Sequence, residues 1–400
     1  MIAARFSEFI CSLSIKDLTN KTIHSAKRSV LDWFSAVIPG GVENPAIFIA
    51  SALSEEVNCG SAHLFPTGIK ATPRTAALIN GTAAHTLEVD DIYREGVFHP
   101  GPPVIAASMA VSQSRELSGE SLILAVIAGY EVSNRVAAVM QPSHYDFWHT
   151  TGTVGVIGAS AATSCAIQLG VREATHALSS ATTFAAGLRQ AFRSDAMSKA
   201  LHAGRAAESG VLCSLMSEKG VTGAERMFEG DCGFGAAMSH SVDWETATKD
   251  LWHKFTIESM TQKNHFCCGH NFAAIDGVLG ILKNERINPQ DITKICIGTY
   301  KKAIEVCDII DPKSPFEAKF SLPYTVAVAC FVGNVRQLAF SERWLKNSNV
   351  RSLANRVVLS INDEAEKAFP TRRAAHVEVH SKDGSIFECF MPTRVGDPET

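Results

Sequence analysis

Residues 150–171 form a run of 22 positions without a single charged side chain, most of them Gly, Ala, Ser or Thr. The run is long enough to raise the question of a membrane span. Its small, weakly apolar residues make a poor transfer into lipid. A helix buried inside a protein, with neighbours packed closely on small side chains, satisfies both properties. The glycines at 152, 155 and 158 follow G-x-x-G-x-x-G and not G-x-G-x-x-G, and no strand pattern precedes them. A dinucleotide site is therefore not expected there.

Around this run the apolar spacing is helical. Phe6, Phe9 and Ile10, then Ile23, Ala26, Val30, Leu31 and Phe34, recur at the helix period, and Pro39-Gly-Gly ends the pattern. Further helices are expected over 46–53, 72–87, from Ser118 onward, over 174–190 and over 197–219, with 59–73 as a loop or short extended piece. After Trp252 the character changes. Residues 292–300 and 356–361 alternate, and 375–391 alternates on both sides of Asp383-Gly384, a hairpin signal. Residues 273–283 and 322–332 read as helices between them. The pattern predicts a mainly α protein: a large all-helical domain over 1–254 and a smaller α+β domain over 255–400.

A formal charge of −4 and the lack of a basic stripe argue against a nucleic-acid binder. Eleven cysteines without framework spacing fit reduced thiols in a cytoplasm-like compartment. The first residues lack the charged start, apolar core and cleavage site of a signal, and read as the first helix. No P-loop and no nucleophile elbow is present.

The polar groups that suit chemistry lie at separate places along the chain. Asp90 and Asp91 precede His99 in an irregular link between two small-residue helices, where catalytic groups are usually carried. His149 stands just ahead of the uncharged run. Lys199 lies on a helix of small residues that also carries His202 and Arg205, and Lys263 lies at the join of the two parts. Tyr324 begins an apolar helix, where its phenol either lines a cleft or caps the core. The cluster His265, Cys267, Cys268 and His270 invites a metal, but vicinal cysteines seldom form a tetrahedral pair and no second C-x-x-C follows. Asp, His, Lys and Tyr without a cofactor motif suit acid/base work on an acidic small molecule.

These stretches together resemble the MmgE/PrpD family, which includes 2-methylcitrate dehydratase, cis-aconitate decarboxylase and iminodisuccinate epimerase. The resemblance is carried by N-G-x-x-A-H-x-x-x-x-D-D at 80–91, H-P-G-x-P-V-I at 99–105 and H-x-T-G-T-V-G at 149–155. K-x-L-H-A-G-R-A-A at 199–207, Lys263 with Cys267-Cys268 and A-A-I-D-G at 273–277, and A-K-F-S-L-P-Y at 318–324 complete it. It implies an all-helical domain, an α+β lid domain, a cleft between them, a homodimer, and a di- or tricarboxylate substrate handled without metal or organic cofactor. The family's site then maps onto Asp91, His99, His149, Lys199, Lys263 and Tyr324, with Asp90 beside them. His99, oriented by Asp91, is expected to move a proton next to a carboxylate, while the lysines offset the developing charge.

Two departures stand out. Many members continue beyond G-D-P with a helical return segment, and many carry a His where this chain has Phe272. The implied reaction is a lyase step, dehydration or decarboxylation. An epimerase and a non-catalytic polycarboxylate-binding relative are the alternatives.

Overall fold

The computed structural model describes residues 1–192 and 196–400. The chain divides into two compact units, Met1–Gln262 and Lys263–Thr400.

The first unit holds α1 (Ile2–Ser12), α2 (Asn20–Gly40), α3 (Ala46–Ala52), β1 (Val57–His63), β2 (Lys70–Ala71) and α4 (Pro73–Thr86). It continues through α5 (Gly101–Ser114), α6 (Gly119–Met140), α7 (Thr150–Thr153), α8 (Gly155–Ala166) and α9 (Val171–Thr183). It ends with α10 (Ser198–Glu218), α11 (Phe234–Met238) and α12 (Trp244–Thr248). Start signals explain several boundaries. The hydroxyls of Thr19, Thr72 and Ser118 each accept the backbone N–H three residues on, opening α2, α4 and α6.

The uncharged run is not one helix. It comprises α7, α8 and the start of α9, and every described residue of α8 except Cys165 is buried. Small residues permit this: a side chain at Gly158 would meet Ser133, and one at Gly210 would meet Ala159 and the Ser160 backbone. A close approach of this kind joins α4 and α10. A Cβ on Gly204 would fall 2.1 Å from the Thr82 hydroxyl oxygen and 2.2 Å from the Leu78 carbonyl oxygen. Gly204→Ala should therefore cost about 1–3 kcal/mol, the usual range for forced overpacking. Thermal unfolding measures it, and an unchanged Tm would show that the two helices separate freely.

One helix among the described residues, α6, is long and apolar enough to cross a membrane by length and composition, but 72% of its apolar window is buried within the protein. It carries a buried ion pair, Arg135 Nε to Glu131 at 2.6 Å. The same pair holds the chain at 254–256. Arg135 donates to the Lys254 carbonyl at 2.8 Å, and Glu131 accepts the Thr256 N–H at 2.7 Å. Residues 255–262, which the change of pattern assigned to the second part, are thus packed on the first unit.

The short extended piece allowed over 59–73 is the antiparallel pair β1–β2. One local expectation is corrected. The helix expected over 174–190 stops at Thr183, with a 3-10 turn at Arg189–Phe192.

The second unit begins with α13 (Phe272–Glu285), β3 (Ile292–Thr299), α14 (Lys301–Cys307), α15 (Pro315–Lys319) and α16 (Leu322–Val332). It continues with α17 (Glu342–Leu345), α18 (Ser348–Ala354), β4 (Val357–Ile361), α19 (Asp363–Ala368), β5 (Ala375–Ser381) and β6 (Ile386–Met391). The sheet order is β4-β3-β5-β6, with β3–β4 parallel and the other pairs antiparallel. Ile295, Ile297, Val377 and Val379 turn inward against α13 and α16 to form the core. The β5–β6 hairpin turns at Gly384, whose φ of 87° suits glycine.

Candidate functional site

In the first unit, the link between α4 and α5 brings two acids to different tasks. Asp91 is buried, and its carboxylate accepts the Tyr130 hydroxyl at 2.6 Å and the Gly101 N–H at 3.0 Å. It thereby holds the start of α5, and a side chain at Gly101 would collide with it. Burial pushes its pKa up to about 6, against the pull of those two hydrogen bonds.

Asp90 turns the other way. Its Oδ2 lies 2.7 Å from His85 Nδ1 and 3.1 Å from His99 Nδ1. His99 Nδ1 also lies 2.7 Å from the Asp91 backbone carbonyl. The orienting carboxylate of His99 is therefore that of Asp90, and Asp91 contributes its carbonyl instead. Two acceptors at one ring nitrogen fix the proton on Nδ1 and leave Nε2 as the atom open to chemistry.

From this point a row of imidazoles runs through the unit. His85 lies 5.1 Å from His99 and stacks on His149 at 5.3 Å, with planes 22° apart. His149 Nδ1 then meets His202 Nδ1 at 3.0 Å. Gly187 sits against His202, where a Cβ would come within 3.2 Å of Nδ1. Burial lowers the pKa of His85, lowers that of His149 well below the usual range, and brings His202 to about 4, with neighbouring cations adding to the effect. These three rings are neutral near pH 7. The positive charge beside them belongs to Lys199, which forms a buried ion pair with Glu88. His85, His202 and Glu88 were not singled out from sequence, although His85 and Glu88 lie inside the N-G-x-x-A-H-x-x-x-x-D-D stretch and His202 is one helical turn beyond Lys199.

The same electrostatics predict a pH response. The unfolded chain protonates these histidines near pH 6.5, whereas the folded unit resists until much lower pH. Their stabilisation is fully present above about pH 6.5 and is lost as pH falls towards 4. Asp91 opposes this, because its raised pKa favours the folded state below about 6 and disfavours it above. Four lowered histidines in this unit, His144 among them, outnumber its two raised carboxyls, Asp91 and Glu131, and leave a net loss in acid. Tm should fall from pH 6.5 to 4, less steeply in His202→Asn, and superimposable curves would refute the assignment.

His85, Asp90 and His99 present ligand atoms all within 4.8 Å of one another, a set able to hold a divalent ion in place of the hydrogen bonds that now join them.

In the second unit, Lys263 is buried and lies near Cys267. His265 Nε2 meets Asp276 at 2.8 Å, and Phe272 is fully buried, edge-on to the His265 ring at 5.2 Å. Tyr324 donates its hydroxyl to the Ala339 carbonyl at 2.6 Å and packs in the core beside Phe340. Its hydroxyl is thereby held inside the core of this unit.

The comparisons with known proteins agree along nearly the whole chain. The MmgE/PrpD N-terminal domain model matches residues 4–247, and the MmgE/PrpD C-terminal domain model matches 265–400. Cis-aconitate decarboxylase from Homo sapiens is 25% identical over 405 residues, covering 96% of this chain and 82% of that protein. The enzyme of the same name from Aspergillus terreus (strain NIH 2624 / FGSC A1156) is 24% identical, covering 96% and 83%. The one from Mus musculus is 23% identical, covering 96% and 81%.

Proposed function

This chain belongs to the MmgE/PrpD family, and we propose from that premise that it is a lyase acting beside a carboxylate of a di- or tricarboxylic acid, without a cofactor. The observation that carries the proposal is the double acceptor at His99 Nδ1. It sets the imidazole up to take a proton at Nε2, and the Asp90 carboxylate 3.1 Å away offsets the charge of the resulting imidazolium.

Decarboxylation of a cis-aconitate-like acid comes first, because the relatives named above carry that activity in their names. The bond to the departing carboxyl carbon breaks, its electron pair stays on the adjacent carbon, carbon dioxide leaves, and His99, having first taken a proton from solvent at Nε2, gives that proton to the carbon and returns to the neutral ring. Dehydration uses the same groups in another order: His99 Nε2 takes the proton beside the carboxylate, the carbon–carbon double bond forms as the neighbouring C–O bond breaks, and the imidazolium gives the proton to the departing hydroxyl, which leaves as water. Lys199 offsets negative charge on the acid. Lys263 is assigned to a carboxylate by family resemblance alone. All eleven cysteines are free thiols, which supports a reducing, cytoplasm-like compartment. A homodimer rests on the family alone.

Incubation with cis-aconitate, 2-methylcitrate and iminodisuccinate in D₂O, followed by NMR, tests the proposal. A product one carboxyl shorter, or one water lighter, identifies the lyase. Deuterium at carbon without net product indicates the epimerase alternative. Saturable binding with neither product nor exchange on any acid would sink the enzyme reading in favour of a binding protein.

A further inference from the structure

Arg373 lies in the second unit between α19 and β5, and only 8% of it is exposed. Among the described residues it forms no ion pair, and its Nη1 has no hydrogen-bond partner. A buried guanidinium without a counter-charge is a costly arrangement, because desolvation is not repaid by any pairing. Its neighbours sharpen the problem. Arg394, a second buried cation, lies close enough to push the Arg373 pKa down further, after burial itself. The nearby Asp397 carboxylate is held by Arg394, at 2.6 Å from Nη2 and 3.1 Å from Nε.

One side of this cationic spot also offers a neutral donor. His270 Nδ1 meets the Tyr300 hydroxyl at 2.5 Å, the hydroxyl's one hydrogen bond among the described residues. Tyr300 is buried, so its O–H must donate there, and the imidazole proton then resides on Nε2. Burial and the surrounding cations keep His270 neutral. Cys268 and His270 are only partly buried, so the spot borders solvent.

We propose that Arg373, with the His270–Tyr300 pair beside it, is a binding site for a carboxylate of a small polycarboxylate anion. Arginine's planar fork matches a carboxylate in two parallel hydrogen bonds, and an anion there supplies the missing counter-charge. The inference takes only its probe from the proposed reaction. It stands whether the carboxylate belongs to the substrate or to a second, regulatory acid.

Citrate is the probe, followed by titration calorimetry and thermal unfolding on the full chain. Wild type should bind it saturably and gain Tm. In Arg373→Met the affinity should fall by roughly ten- to a hundredfold, the scale of a lost charge-assisted contact. The unliganded variant should melt no lower than wild type, since an unpaired buried charge has been removed. Arg373→Lys, which keeps the charge but not the fork, should lie between. Labelling of wild-type Arg373 by phenylglyoxal, read by peptide mass spectrometry, should slow with citrate and requires no variant to fold. Either no saturable citrate binding to wild type, or equal affinity in wild type and Arg373→Met, or labelling indifferent to citrate, overturns the site. In turnover assays, a raised KM at unchanged kcat in Arg373→Lys marks the carboxylate as the substrate's. A citrate response that survives saturating substrate marks it as a second acid. Neither product nor deuterium exchange in wild type on any of the three acids, with citrate binding intact, would sink the proposed reaction and leave this site standing.

Discussion

His99→Asn should lower turnover by roughly two to four orders of magnitude, the usual scale for a lost acid/base group, while leaving the fold intact. The substitution isolates one atom. An asparagine amide N–H can still reach the two acceptors that hold His99 Nδ1, namely the Asp91 carbonyl at 2.7 Å and the Asp90 carboxylate at 3.1 Å. What disappears is Nε2, the nitrogen to which those acceptors confine the chemistry. The expected signature is near-wild-type Tm and far-UV circular dichroism, near-wild-type binding of the acid, and loss of both product and solvent-deuterium exchange. Asp90→Asn should also slow the reaction, because it removes the charge that stabilises the imidazolium. A His99→Asn enzyme within tenfold of wild type would move the proton carrier elsewhere.

What the sequence could and could not disclose follows from how far each signal reaches along the chain. Local signals placed elements well. Ser118 caps α6 through its hydroxyl, and Asp383-Gly384 turns the β5–β6 hairpin. The small-residue run announced burial, but its division into α7, α8 and α9 depends on packing partners far away in sequence. The pair β1–β2 is too short and too exposed to show a clean alternation, since β2 spans two residues.

At the candidate site, residue type was legible and orientation was not. Asp90 and Asp91 are adjacent, yet one faces two imidazoles while the other anchors the start of α5 through Gly101 and Tyr130. A one-residue change of direction in irregular backbone leaves no trace in composition or period. His85 and His202 were hidden for another reason. Each sits on a small-residue helix, α4 or α10, where a lone histidine reads as a core or surface residue, and only the packing of those helices brings their rings into one row with His149.

Lys199→Met should destabilise the first unit by about 3–5 kcal/mol, the range for removing one partner of a buried ion pair. Lys199 and Glu88 are both buried, so losing the ammonium leaves the carboxylate in a poorly solvated place near Asp90. The partner change separates stability from chemistry. Glu88→Gln combined with Lys199→Met removes both charges and keeps much of the volume, so stability should recover to within about 1 kcal/mol of wild type, because replacing a whole buried pair is often nearly neutral. Turnover should not recover, since the ammonium that offsets charge on the acid is still missing. Chemical denaturation of the four proteins in the cycle, with kcat/KM for each, decides the matter. If the double variant regained turnover along with stability, Lys199 would be a structural partner of Glu88 and nothing more. If Lys199→Met were as stable as wild type, the pair would not be buried as described.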